Sequence, residues 1–115
     1  MPTEAIAQFC LQLPGVREDR KWGNNRVFSV AGNKMFAVLD FMGGGVAFKV
    51  DSDLFLGMVD RPGIRPAPYL ARAHWISMAI PTPLSEGELQ ALLRRSHQLV
   101  VSRMPKLKRI GLLLD

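Results

Sequence analysis

Residues 26–41 read RVFSVAGNKMFAVLDF, and the dipeptide at the middle of this stretch decides the fold. Gly32 and Asn33 both tolerate the positive φ that a tight turn between two twisted strands demands. The flanking runs are rich in β-branched and aromatic residues, so the stretch predicts an antiparallel hairpin. Downstream, Gly43, Gly44 and Gly45 lead into GVAFKV, where Val46, Phe48 and Val50 face one way and Ala47 and Lys49 the other. The triple glycine joins two strands and lacks both the following helix and the Lys-Ser/Thr of a nucleotide loop, so it reads as a flexible turn. Three consecutive strands with no helical crossover exclude a parallel sheet.

Outward from the hairpin, Thr3 is expected to cap a first helix whose buried stripe is Ile6, Phe9, Cys10 and Leu13, with Pro14 and Gly15 ending it. Asp51, Ser52 and Asp53 offer caps for a short second helix carrying Leu54, Phe55, Met58 and Val59 and ending before Pro62. The acid-free stretch PGIRPAPYLARAHWISMAI, residues 62–80, opens with three prolines that fix φ and predict a stiff loop. It closes as a strand with Ile76, Met78 and Ile80 on one face and Trp75, Ser77 and Ala79 on the other. Ser85 and Glu88 form a capping box, and Leu89, Leu92, Leu93, Ser96, Val100 and Met104 trace the stripe of a long last helix that Pro105 ends. The expected fold is one α+β domain over residues 1–115, a two-layer structure in which N-terminal and C-terminal helices back an antiparallel sheet.

At 115 residues, 48% hydrophobic and 22% charged, the chain can bury a core without disulfides or metals. A lone cysteine, Cys10, forms no internal disulfide, and its place on the buried stripe makes it a core thiol. With no apolar run long enough to cross a bilayer, a cytoplasmic address is expected. The net charge of +5 is uneven: residues 1–60 carry six basic and seven acidic side chains, residues 61–115 nine and three. Such a basic half suits a polyanion partner.

Chemistry is scarce. His74 and His97 have no Cys, Asp or Glu at ligand spacing, so no metal is expected, and His97 reads as a solvated histidine of the last helix. No nucleophile signature occurs, while Asp51, Asp53, Glu86 and Glu88 fall where helix caps and first turns place acids. No cofactor or catalytic residue is assigned, and a binding domain is favoured over an enzyme.

Three segments, LPGVREDRKWGNNRVFSVAGNKMFAVL (13–39), GVAFKVDSDL (45–54) and PGIRPAPYLARAHW (62–75), resemble the MmcQ/YjbR family of small bacterial proteins. The resemblance runs from about Phe9 to Met104. It implies a CyaY-like fold related in shape to frataxin and to secretion chaperones, and a double-wing DNA-binding arrangement has been suggested for that family. Frataxin-like iron handling needs a ridge of carboxylates, whereas the first helix offers only Glu4. A secretion chaperone is expected to be acidic, and this chain is basic.

The candidate site follows from the period of the strands. Trp75 shares a sheet face with Lys49 and Ser29, a face expected to be open, and Arg26 and Arg65 are placed in the same neighbourhood with Trp22 nearby. Tyr69, Arg72 and His74 project from the proline ledge. Cations there would hold phosphates while rings stack on bases, which makes nucleic acid the expected partner. In the competing reading, Trp75 is covered by the proline loop and packs on Tyr69. A second basic set comprises Arg94, Arg95, Arg103, Lys106, Lys108 and Arg109, read either as a further polyanion surface or as a solvated helix end. The other partner classes are a second copy of the chain, through IGLLLD (110–115), and a small anionic substrate of an enzyme.

Overall fold

The computed structural model describes residues 1–41 and 43–113. Helix α1 (Thr3–Leu11) precedes strands β1 (Arg17–Lys21), β2 (Asn25–Val30), β3 (Lys34–Phe41) and β4 (Gly45–Lys49). Helix α2 (Ser52–Val59), strands β5 (Ile64–Pro66) and β6 (Trp75–Ala79), and helix α3 (Glu86–Val101) follow. The six strands form one antiparallel sheet in the order β1-β2-β3-β4-β6-β5. The structure is therefore the expected α+β sheet with N- and C-terminal helices packed on it. The hairpin turn sits where Gly32 and Asn33 allow it, at φ 74° and 59°.

Alternation sorts the side chains into two layers. Phe28, Ala37, Phe48 and Ile76 stand in register across four strands and meet Ile6, Cys10, Leu89 and Leu93 of the helices in the main core. On the other face, Val27, Val38 and Ala47 are aligned and pack with Phe41, Trp75 and Ala67. That face is not open as expected. Ala67 donates its N–H to Trp75 O at 2.9 Å, and Trp75 donates to Leu70 O at 3.3 Å, so the segment 67–70 is strapped over the sheet. Trp75 is 4% and Lys49 6% exposed.

A bulge joins α3 to this sheet. Between Phe28 and Ser29 the register slips, because Ser29 faces Met35 while Phe28 faces Ala37, leaving Phe36 as the extra residue. Where Phe36 and Lys49 would next pair, Ser96 of α3 intervenes. Its hydroxyl donates to Phe36 O at 2.6 Å and accepts from Lys49 N at 3.0 Å. Both backbone groups are thus satisfied inside the core.

Several local expectations need correction. The sheet has six strands rather than four. β1 (REDRK) carries no apolar alternation, and β5 is three residues ending in Pro66, so neither presents the pattern that reveals a strand. Pro2, not Thr3, occupies the N-cap of α1. Asp51 holds the N-cap of α2 without a side-chain cap bond, because its carboxylate receives two bonds from Arg95 at 2.9 and 2.7 Å. Ser85 does cap α3, accepting from Glu88 N at 3.1 Å, while the Glu88 carboxylate turns to Arg61 at 2.7 and 3.1 Å. His97 is fully buried. It lies four residues from both Leu93 and Val101, on the face that α3 turns to the core.

Candidate functional site

The strap over the sheet leaves a groove on this face, and its walls come from five separate segments. One end is a cavity of ≈ 400 Å³ lined by Lys34, Lys49 and Arg103 together with Asn33, Trp75 and Met104. Lys34 is set here by the turn at Gly32-Asn33, Lys49 by the Ser96 bridge, and Arg103 by the last turn of chain after α3. Among the described residues, no acidic one lines this cavity. The side chains of Lys34 and Arg103 have no ion-pair or hydrogen-bond partner among the described residues. The Lys49 ammonium donates to Ala73 O, and its pKa is held below the usual lysine value by burial and then by the nearby Arg103 charge.

Met35 and Leu70 also line a second cavity, of ≈ 350 Å³, formed by Trp22, Asn25, Phe41, Pro68 and Tyr69. None of the described residues in its walls is charged. Trp22 is 62% and Tyr69 96% exposed, and both stand on left-handed backbone, at φ 51° and 68°. A bulky residue in that region costs about 1–3 kcal/mol and persists only where the surroundings impose it. Asn25 imposes it at the β1–β2 turn, donating to Trp22 O at 2.8 Å. Phe41 continues from this cavity into a third recess of ≈ 100 Å³ with Arg65, Ser77 and the glycines 43–45. The order along the face is therefore cations, aromatic rings, then a single guanidinium.

The expected site residues divide accordingly. Trp22, Lys49, Tyr69 and Trp75 line the groove, with Trp75 as its floor beneath the strap; the fully exposed Tyr69 does not cover it. Arg65 marks the far end, donating to Ser77 Oγ at 3.3 Å. Arg26 is elsewhere. It points to the helix side, where Glu18 takes bonds at 2.7 and 3.3 Å and Glu4 one at 2.6 Å, raising its pKa further. His74 also leaves the groove, its ring meeting Phe55 of α2 edge-on at 5.6 Å. Arg72 is exposed on the turn 71–73 and lines no part of the groove.

The second basic set does not form one patch. Arg94 lies over the Phe9 ring at 5.4 Å, Arg95 is paired with Asp51, and Arg109 donates to Ser102 O at 3.0 Å. Lys106 and Lys108 are exposed on a short turn, while Arg103 belongs to the groove. Sequence reading missed Lys34, Met35, Phe41 and Leu70 as groove residues. Of these, Lys34 carried a usable signal, a cation directly after a turn.

The model of the family described as YjbR matches residues 11–99. The chain belongs to the YjbR family. Its fold is shared with a Deinococcus radiodurans protein carrying a DUF419 domain, at 24% identity and a TM-score of 0.83, over 95% of this chain and 86% of that one. A crystal structure of a Pseudomonas syringae protein matches at 22% identity and a TM-score of 0.72, over 87% and 99%. A solution structure from Pseudomonas syringae matches at 25% and 0.56, over 74% and 81%. No curated protein matches the chain. The YjbR assignment thus carries the fold, and the chemistry must be read from the groove itself. In this YjbR domain, Cys10 is fully buried and burial, then Glu18, pushes its thiol up to about 12, so it supplies no thiolate. His97 is equally enclosed, with Nε2 2.8 Å from Pro14 O and Nδ1 2.8 Å from Gln98 Nε2. Neither group reaches the groove. Among the described residues, no helix is long and apolar enough to cross a membrane.

Proposed function

We propose that this YjbR domain is a non-catalytic binding module for nucleic acid, which it holds through phosphates at the cationic end of the groove. The observation that carries this reading is the convergence of Lys34, Lys49 and Arg103 on one cavity with no acid among the described residues of its walls. Three cations held together repel one another, and an anion relieves that repulsion. The excess of basic residues in the second half of the chain strengthens the long-range attraction. Salt dependence tests it. Binding of labelled DNA should weaken with added salt, and Lys34→Gln with Arg103→Gln should lower the magnitude of the log–log slope by roughly 0.7–0.9 for each phosphate no longer neutralised. Binding that ignores salt, or a double variant with the parent slope, overturns the reading.

A second reading is self-association through the tail. Leu107 and Ile110 are 85% and 75% exposed, which favours a covered apolar surface. Leu112 is different: it packs with Val30 and Val101 and abuts Gly15. Leu114 and Asp115 lie outside the described residues. Sedimentation should then show a dimer that Leu107→Asp with Ile110→Asp converts to monomer; a monomeric parent removes this reading.

A further inference from the structure

We propose that the groove is built for a single strand, with unpaired bases against Trp22 and Tyr69 and the backbone running from the Lys34–Arg103 end toward Arg65. This rests on the nucleic-acid reading above and adds the form of nucleic acid. The order of the walls is what selects a strand. Cations occupy one end of the groove and Arg65 the other, while among the described residues the stretch between them is uncharged and aromatic. A phosphate has nothing to meet in that middle stretch. A base does, because every base has a π-face and stacking on an exposed ring is tolerant of sequence. In a duplex those faces are already stacked within the helix, so a duplex can use the cations but not the rings. Both rings stand on left-handed backbone and are exposed at 62% and 96%, which leaves ring surface available to a base.

The test compares a short oligothymidylate with a duplex of similar length and with free thymidine monophosphate, at low salt, using the full chain. The strand should bind more tightly than the duplex and quench the emission of the exposed Trp22. Trp22→Gly and Tyr69→Gly suit the local backbone and should each weaken strand binding roughly 5- to 150-fold, with duplex binding and the salt slope unchanged. Leu56→Ala, on the exposed face of α2, should change nothing. If duplex binds as well as strand and the glycine variants leave both unaltered, the single-strand proposal falls while the phosphate reading survives. Absence of binding to either form overturns both. Monophosphate binding as tight as the oligomer, per molecule, overturns the strand in favour of a free nucleotide.

Discussion

His97 is a titratable ring enclosed by the fold, and its partners fix its state. Pro14 O can only accept, so Nε2 carries the proton, and Nδ1 accepts from the Gln98 amide. The ring is neutral and edge-on to Phe36 at 5.3 Å. Burial drives its pKa below 6.5, opposed in part by the Pro14 carbonyl. The unfolded chain therefore takes up a proton below about pH 6.5 that the folded chain refuses, and stability must fall as pH drops from there toward the folded pKa. Urea unfolding should show a loss of up to ~1.4 kcal/mol per pH unit in that window. His97→Gln, which preserves a donor for Pro14 O, should remove this component; a variant that retains the parent's full pH dependence would disprove the assignment. The helical period alone puts position 97 on the core face. What misleads is the polarity of histidine, since a sequence does not reveal that Pro14, 83 positions away, waits to receive its proton.

Among the elements, the contact of α3 with the sheet turns on Ser96. Its spacing places it on the buried stripe, but its task is visible only with the bulge at Phe36. Ser96→Ala would strand Phe36 O and Lys49 N in a dry core, at ~1–3 kcal/mol for each group. Thermal or urea unfolding should register that loss. Because Lys49 is anchored through this same hydroxyl, salt-dependent binding should weaken as well. A variant as stable as the parent would show that the bridge contributes nothing. The same contrast explains which strands the sequence reveals. β2, β3, β4 and β6 are covered on both faces or strongly alternating, so their residues announce them. β1 and β5 are edges, one ionised throughout and one containing proline, and only their partners make them strands.

For the molecule as a whole, the layer architecture is legible because it follows from local patterns repeated along the chain. The groove is not, because it depends on register. Lys34 and Lys49 come from the half of the chain with a slight acidic excess, and they meet Arg103 only because β3, β4 and the end of α3 converge. Conversely, the assumed strand pairing makes Arg26 a neighbour of Trp75, whereas period two sets it on the face opposite Ser29, the side on which it pairs with Leu39. Charge totals point to a partner class, while placement decides which cations remain available to it: Arg95 and Arg61 are neutralised by Asp51 and Glu88, and Arg103 is not. The edge strands have one more consequence. A second molecule offering its own backbone to this sheet would meet a fence of ionised groups at Arg17–Lys21 and a missing donor at Pro66. Growth by repeated strand addition is discouraged at both margins, so a chain nearly half apolar is guarded against templating fibrils from its own sheet.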